Sequence, residues 1–255
     1  MQTTEAMNHG VDKSSAIGKM CALLKAIAAR PPQRLNELAA ATGMNRTTAF
    51  RILEELAEAG MVEKKGAPPR YDFGPEIAAI GGASARCWDM QALARPSLLR
   101  LADATGDTIV LHARSQAESL CVDRVVGDFP IRANLLEVGS RRPLGVGAGS
   151  MAMLAVLPAA EQTAVLGITC AGLARFPRFS REKLLAFVED FRTRGYVVMC
   201  DVIVEKMGAI AIPLLDRHGN CRAAISIAAL TERILQREAE LASLLRREAE
   251  IIRKS

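Results

Sequence analysis

The chain has 255 residues, half of them hydrophobic, and a formal net charge of +5. That length accommodates one large domain or two ordinary ones, each with its own core. The mild positive charge permits nucleic-acid binding without requiring it. The N-terminal stretch MQTTEAMNHGVDKSS lacks the apolar run of a signal peptide. No run approaches the roughly 18 apolar residues needed to span a membrane. Six cysteines, at positions 21, 87, 121, 170, 200 and 221, form no CxxC pair and have no histidine at ligand spacing. Neither a metal site nor a cofactor is therefore expected, and scattered free thiols point to a cytoplasmic protein with no membrane partner.

Residues 1 to 13 are polar, and a disordered tail is expected there. From Ser14, apolar residues recur at helical spacing (Ile17, Met20, Cys21, Leu24, Ile27) until Pro31-Pro32 stops them. A short helix, LNELAAAT, ends at Gly43. A third helix starts at Asn45, a good N-cap residue, and runs through Ala49, Ile52, Leu53 and Leu56 to Gly60. A strand MVEKK, a turn GAPPR and a strand YDF follow, closed by Gly74-Pro75. Residues 76 to 89 predict a helix weakened by Gly81-Gly82, ending near Trp88, which is expected to be buried between domains or protomers. The run MQALARPSLLRLADATG predicts another helix, kinked or restarted at Pro96.

After Gly106 the period changes to two. DTIVLHARS, SLCVDRVVG and PIRANLLEV predict strands, antiparallel because short connections join them. AGSMAMLAVLP, AAEQTAVLG and SREKLLAFVEDFRTRG predict helices, the last capped by Ser180 and closed by Gly195. YVVMCDVIV, GAIAIPLLD and CRAAISIAAL predict three more strands, the last two joined by the turn RHGN. TERILQREAELASLLRREAEIIRK predicts a C-terminal amphipathic helix. The second region is thus an α+β domain with helices packed on an antiparallel sheet. The expected boundaries are 14–75, a bridging segment 76–89, and 90–255.

The first module carries chemistry. Leu38, Ala39, Ala49, Ile52 and Leu56 fall on one inward face, and Gly43 supplies the tight turn between two helices. The start of the third helix then offers Asn45, Arg46, Thr47, Thr48 and Arg51, with no acid between Glu37 and Glu54. Arg and Asn side chains can make paired hydrogen bonds to base edges, and hydroxyls and N-terminal N–H groups bind phosphate. Lys64, Lys65 and Arg70 sit at the hairpin, placed to lie along a DNA backbone as a wing. Three small helices with exposed Arg and Thr would also fit a generic helical module.

The segment LNELAAATGMNRTTAFRILEELAEAGMVEK resembles the winged helix-turn-helix of the IclR family of bacterial transcriptional regulators. YDFGPEI, VDRVVG, VGSRRPLGVGAGSMAMLAVLP, FRTRGY and GAIAIPLLDRHGNCRAAISIAAL resemble the family's later segments in order, over about residues 14 to 253. The resemblance implies a winged helix-turn-helix, a linker helix that dimerises, and a GAF-like α/β domain that binds small organic molecules. It implies a homodimer, or a dimer of dimers, on a roughly palindromic double-stranded operator.

The stretch PLGVGAGS, 143 to 150, invites a phosphate-loop reading, which fails at named positions. A dinucleotide fingerprint needs glycine where Ser150 stands, a Walker loop needs a lysine, and a nucleophile elbow needs glycines where Ala148 and Ala152 flank Ser150. The histidines, His9, His112 and His218, lie in the tail, a strand and a turn, and His112 is expected to be structural. No enzymatic activity is expected. The glycines let backbone approach an anion, and the following helix aims free N–H groups at it.

The family resemblance implies that this loop is a wall of the effector pocket, with Ala148 and Gly149 offering N–H groups to a carboxylate. It implies further walls at Met199 to Asp201, Ala209, and Ser226 with Ala228. Relatives that sense small polar acids have polar side chains at several of these positions. Here Met199, Ala209 and Ala228 are apolar and Ser226 keeps a hydroxyl, which suits an aromatic or medium-chain carboxylate. Arg141 and Arg142 precede the loop, where they either steer an acid or sit in a solvated turn; the turn is the expectation. A small-molecule-binding enzyme, or a constitutive DNA-binding protein with an oligomerising second domain, remain the alternatives.

Overall fold

The computed structural model describes residues 15–29, 31–85, 90–131 and 136–254. The tail expected over 1–13 and the end of the bridging segment, Trp88 included, lie outside them. The contacts divide the chain into two units, Met1–Cys87 and Trp88–Ser255.

The first unit runs α1 (Ala16–Ala29), β1 (Gln33–Arg34), α2 (Leu35–Thr42), α3 (Arg46–Glu58), β2 (Val62–Lys65), β3 (Arg70–Phe73) and α4 (Pro75–Ala85). Leu23 and Ile27 of α1, Leu38 of α2, and Ala49, Leu53 and Leu56 of α3 close one core, which Tyr71 completes from the hairpin. Gly43 ends α2 at φ +69°, and its N–H bonds to the Ala40 carbonyl at 3.3 Å. A Cβ there would meet no atom within 4 Å, so the backbone conformation alone demands glycine. The two-strand hairpin expected from the sequence gains a third strand. Gln33 and Arg34 pair with Tyr71 and Arg70 on the free edge of β3. Two residues between a proline pair and a helix are too short to show a period.

The second unit runs α5 (Met90–Thr105), β4 (Thr108–Ser115), β5 (Glu118–Val125), β6 (Arg141–Pro143), α6 (Ala148–Ala155), α7 (Ala159–Ala171), α8 (Arg181–Arg194), β7 (Val197–Cys200), β8 (Met207–Leu215), β9 (Cys221–Leu230), α9 (Thr231–Gln236) and α10 (Glu238–Lys254). The strands form one antiparallel sheet in the order β6-β5-β4-β9-β8-β7. Both faces are covered. Ile109, Leu111, Ile225 and Ile227 pack with Leu98 and Leu101 of α5 and Leu241 and Leu245 of α10. On the other face Ala211, Ala224 and Val197 pack with Met151 of α6 and Leu184 of α8.

Four sequence expectations need correction. No strand occupies the described part of PIRANLLEV; β6 forms at Arg141–Pro143 instead, against Glu118 to Leu120. The strand expected over YVVMCDVIV stops at Cys200, because Asp201 takes φ +60° and turns the chain into a loop. Of the two readings at Pro96 the restart fails, since α5 runs through it as one element; Pro96 faces solvent, where water can serve the carbonyl left by its missing N–H. The C-terminal helix breaks at Arg237, whose guanidinium bonds the Thr105 carbonyl and Asp107.

The buried carboxylates are held by arginines from distant elements. Asp107 bonds Arg233 at 3.0 Å and Arg237 at 3.4 Å, which ties α9 and α10 to the start of β4. Glu248 is 1% exposed and receives Arg100 Nη2 at 2.6 Å. Burial pushes the Glu248 carboxyl up, but hydrogen bonds from Arg100 and Ser97 outweigh it and hold the group below its ordinary range. That contribution to stability is present above the unfolded-state pKa and is lost as pH falls through the folded one. Replacing Arg100 with Met strands a buried charge beside Arg247, and we expect a loss of about 2–3 kcal/mol at neutral pH by urea unfolding. The difference from the unsubstituted protein should shrink in acid, as Glu248 takes up its proton; a difference that stays constant with pH would contradict this account.

A basic helix face and a ligand cleft

In the first unit, Asn45 precedes α3 in extended conformation, and its Oδ1 accepts the Thr48 N–H at 2.7 Å. That cap satisfies one of the free N–H groups of the helix start and leaves the amide NH2 of Asn45 outward. Arg46, Thr47 and Arg51 are exposed, whereas Thr48 is half-buried. Arg51 leans on Glu55 at 3.1 Å. The wing cations flank the turn, with Lys65 opposite Arg70. Each has a carboxylate or carbonyl beside it: Lys64 bonds Glu54 at 2.6 Å, Lys65 bonds Glu63 and Asp72, and Arg70 bonds the Pro32 carbonyl at 3.3 Å. These hydrogen bonds raise the pKa of both lysines, so both stay charged. Water and salt screen surface pairs of this kind, so a phosphate can displace the carboxylate at little cost.

In the second unit, a cleft opens between the sheet and the start of α6, with about 710 Å³ of free space, part of it open to solvent. Strand alternation builds it. Val110 lies opposite Ser226, Ala228 opposite Ala209, and Ala209 opposite Met199, so these side chains share one face. The small ones leave a hollow under the glycine loop. A bulge between Leu111 and His112 sets two residues of β5 against one step of β4. It turns Cys121 and Ser119 into the cleft while Asp123 faces Arg95 of α5, 2.6 Å away.

Six of the seven residues expected at a ligand pocket line this cleft: Ala148, Gly149, Met199, Ala209, Ser226 and Ala228. The seventh, Asp201, does not. Its carboxylate closes the β7–β8 loop instead, accepting from Lys206 N at 2.6 Å and Thr231 Oγ1 at 3.1 Å.

Two residues read otherwise from the sequence belong to the cleft. His112, expected to be structural, lines it, with Nε2 at 2.8 Å from Ser226 Oγ and Nδ1 at 3.4 Å from Ser119 Oγ. Burial, aided by the Arg142 charge, pulls its pKa down to about 3, so the ring is neutral at any physiological pH. Arg142, expected in a solvated turn, is half-buried and lines the cleft; Arg141, half-buried as well, does not line it and bonds Glu118 at 3.2 Å. The guanidinium reaches the glycine loop, since a Cβ on Gly147 would stand 3.4 Å from Nη1. Burial lowers its pKa, yet a guanidinium still keeps its proton at neutral pH. The signal for His112 was its place two residues from Val110, directly after the apolar run Ile109 to Leu111; Arg142 had none, because side-chain direction in a three-residue strand is not periodic.

The cleft is therefore positive at one pole, with no Asp or Glu among its described lining residues. The N–H groups of Ala148, Gly149 and Ser150 open α6 and have no intrahelical acceptor. Ser150 itself stitches the loop: its hydroxyl accepts from Gly145 N and donates to the Pro143 carbonyl. Burial pushes the Cys121 thiol up to about 11, so it stays protonated. Among the described residues no group of three or more His, Cys, Asp or Glu is placed to hold a metal ion. No described helix is long and apolar enough to cross a membrane.

Two family models match the chain. The IclR helix-turn-helix domain covers residues 16–66, and the bacterial transcriptional regulator IclR C-terminal domain covers residues 83–254. The HTH-type transcriptional regulator KipR of Bacillus subtilis is 27% identical over 231 residues, spanning 88% of this chain and 90% of that protein. The crystal structure of an IclR-type regulator from Alicyclobacillus acidocaldarius aligns with a TM-score of 0.79 at 23% identity, over 93% of this chain and 97% of that one. An IclR homolog from Microbacterium hydrocarbonoxydans, solved in complex with 4-hydroxybenzoate, aligns with a TM-score of 0.74 at 19% identity, over 92% and 98%.

Gly149 is the tightest point of the cleft. A Cβ there would overlap the His112 ring, which both serines hold in place. Gly149→Ala should lower the thermal midpoint by several degrees, an overpacking cost of about 1–3 kcal/mol. His112→Ala in the same chain should restore much of it; no restoration would mean that the clash lies elsewhere.

Proposed function

The chain belongs to the IclR family of bacterial transcriptional regulators, and on that premise we propose that it is a regulator whose operator affinity is set by a small organic acid. The observation that carries the ligand class is Arg142, a cation that lines the cleft and reaches the glycine loop. An acid seated there meets the guanidinium on one side and the free N–H groups of Ala148 and Gly149 on the other. Ser226 completes the pole. In the tautomer that carries its proton on Nε2, His112 donates to Ser226 and leaves that hydroxyl to donate to the ligand. The rest of the cleft is apolar, with Met199, Val202, Ile203 and Ala228 around the hollow. One charged pole and an apolar body favour an aromatic or medium-chain monocarboxylate, and the 4-hydroxybenzoate held by the Microbacterium homolog is of that class.

On the DNA side, Asn45, Arg46, Thr47, Thr48 and Arg51 would enter the major groove through α3, with Lys64, Lys65 and Arg70 on the backbone. One winged module covers too little DNA for specific binding, so a dimer on a roughly palindromic site is part of the reading. The helix α4 suits the dimer contact: Ile80 is 52% exposed, and Glu76 is the only charged residue in the helix. Acid binding in one unit would then alter DNA affinity by favouring one of two dimer arrangements. The cleft chemistry is that of binding. Its serine at the loop is engaged, its thiol protonated and its histidine neutral.

Calorimetry with benzoate, phenylacetate, octanoate, pyruvate and glyoxylate tests the ligand class. The larger acids should bind at least tenfold more tightly than pyruvate or glyoxylate, and the reverse order would overturn it. Arg142→Met should weaken the preferred acid by about ten- to a hundredfold, the worth of one charge-assisted hydrogen-bond pair. Arg46→Ala should weaken binding to duplexes selected from a random pool while leaving acid affinity unchanged. Loss of both would indicate misfolding.

A further inference from the structure

The outward face of α3 carries one residue that the polar reading does not absorb. Ala49, Ile52, Leu53 and Leu56 point into the core, and helical spacing sends Phe50 the other way. Phe50 is 45% exposed, one turn after Arg46 and Thr47 and beside Arg51, all exposed. The core does not need its ring, and an aromatic side chain left in water forgoes a large apolar burial. Phe50 stands in an open groove between α3, the start of α2 and the wing, together with Arg34, Arg46, Thr47, Pro68 and Pro69. Among the described residues no Asp or Glu lines that groove, and Arg34 and Arg46 do. Its charge suits a polyanion, while Phe50 calls for an apolar group on that same polyanion.

Duplex DNA offers one such group in the major groove, the C5-methyl of thymine, and phenylalanine is a known type of partner for it. We propose that Phe50 is a base-reading residue whose ring packs on a thymine methyl, so that each operator half-site carries one thymine required for its methyl group. The proposal rests on the DNA-binding reading above. It adds a specificity contact that needs no hydrogen bond, beside Arg46 and Asn45, whose donors read other edges.

The test uses the full-length protein and duplexes it selects from a random pool. Each thymine is replaced singly by deoxyuridine, which removes the methyl and leaves base pairing intact. One position in each half-site should weaken binding of the unsubstituted protein about fourfold, the worth of burying one methyl group. Phe50→Ala should bind the thymine and uracil duplexes equally, and Phe50→Leu should keep part of the preference. Since the ring is partly exposed, both variants should melt as the unsubstituted protein does; if Phe50→Ala does not fold, the uracil scan with Phe50→Leu decides. The proposal is overturned if no single uracil weakens binding, or if Phe50→Ala keeps the same preference. Failure to select any duplex at all would instead overturn the DNA-binding reading itself.

Discussion

The sheet of the second unit is covered on both faces, and that constraint governs what its cleft can contain. Each strand must alternate between two environments. On the α5 and α10 side stand Ile109, Leu111, Ile225 and Ile227, all buried. Each such side chain contributes about 1.5–3 kcal/mol by leaving water. A slip of one residue would move these four into the cleft and drive His112 and Ser226 into an apolar core. The isoleucine face therefore locks the register, and the opposite face is free to be small and polar. Ala209, Ser226 and Ala228 can leave a hollow because stability is secured behind them.

Electrostatics inside that hollow follow from burial. A neutral His112 between two serine hydroxyls is a hydrogen-bonding element rather than a charge. Arg142 is the one cation among the described residues that line the cleft. The bulge in β5 completes the arrangement, because it sends Cys121 to the cleft and Asp123 to Arg95. Without it, alternation would put both on one face, and the Asp123 carboxylate would neutralise the pole. A one-residue irregularity thus separates a binding cleft from a structural ion pair.

The first unit works by the opposite economy. The side chains proposed to meet DNA are mostly exposed, with Thr48 and Arg70 half-buried, and their carboxylate partners are exposed or half-buried. Lys64 with Glu54 and Lys65 with Asp72 are pairs that water and salt already weaken. Such pairs hold the cations in place in the free protein and are weak enough for a phosphate to displace. The core beneath is small, built on Leu23, Ile27, Leu38, Leu53 and Tyr71, and it fixes the angle at which α3 is presented.

Most of the elements were legible in the sequence because their signals are local. Helical period, Gly43 and Gly195 at helix ends, Asn45 and Ser180 at helix starts, and period two after Gly106 all act within a few residues. Six of the seven expected cleft positions were likewise reached, through the glycine loop and the family resemblance. Tertiary structure alone decided the rest. It put Gln33 and Arg34 on the edge of β3, ended β7 at Asp201, moved β6 to Arg141, and turned Asp201 away from the cleft. It also turned His112 and Arg142 into the cleft, and left Phe50 in the open. Each of these depends on which residue stands opposite in a strand or helix distant along the chain. A local pattern states what a segment can form, and only the packed fold states what its side chains face.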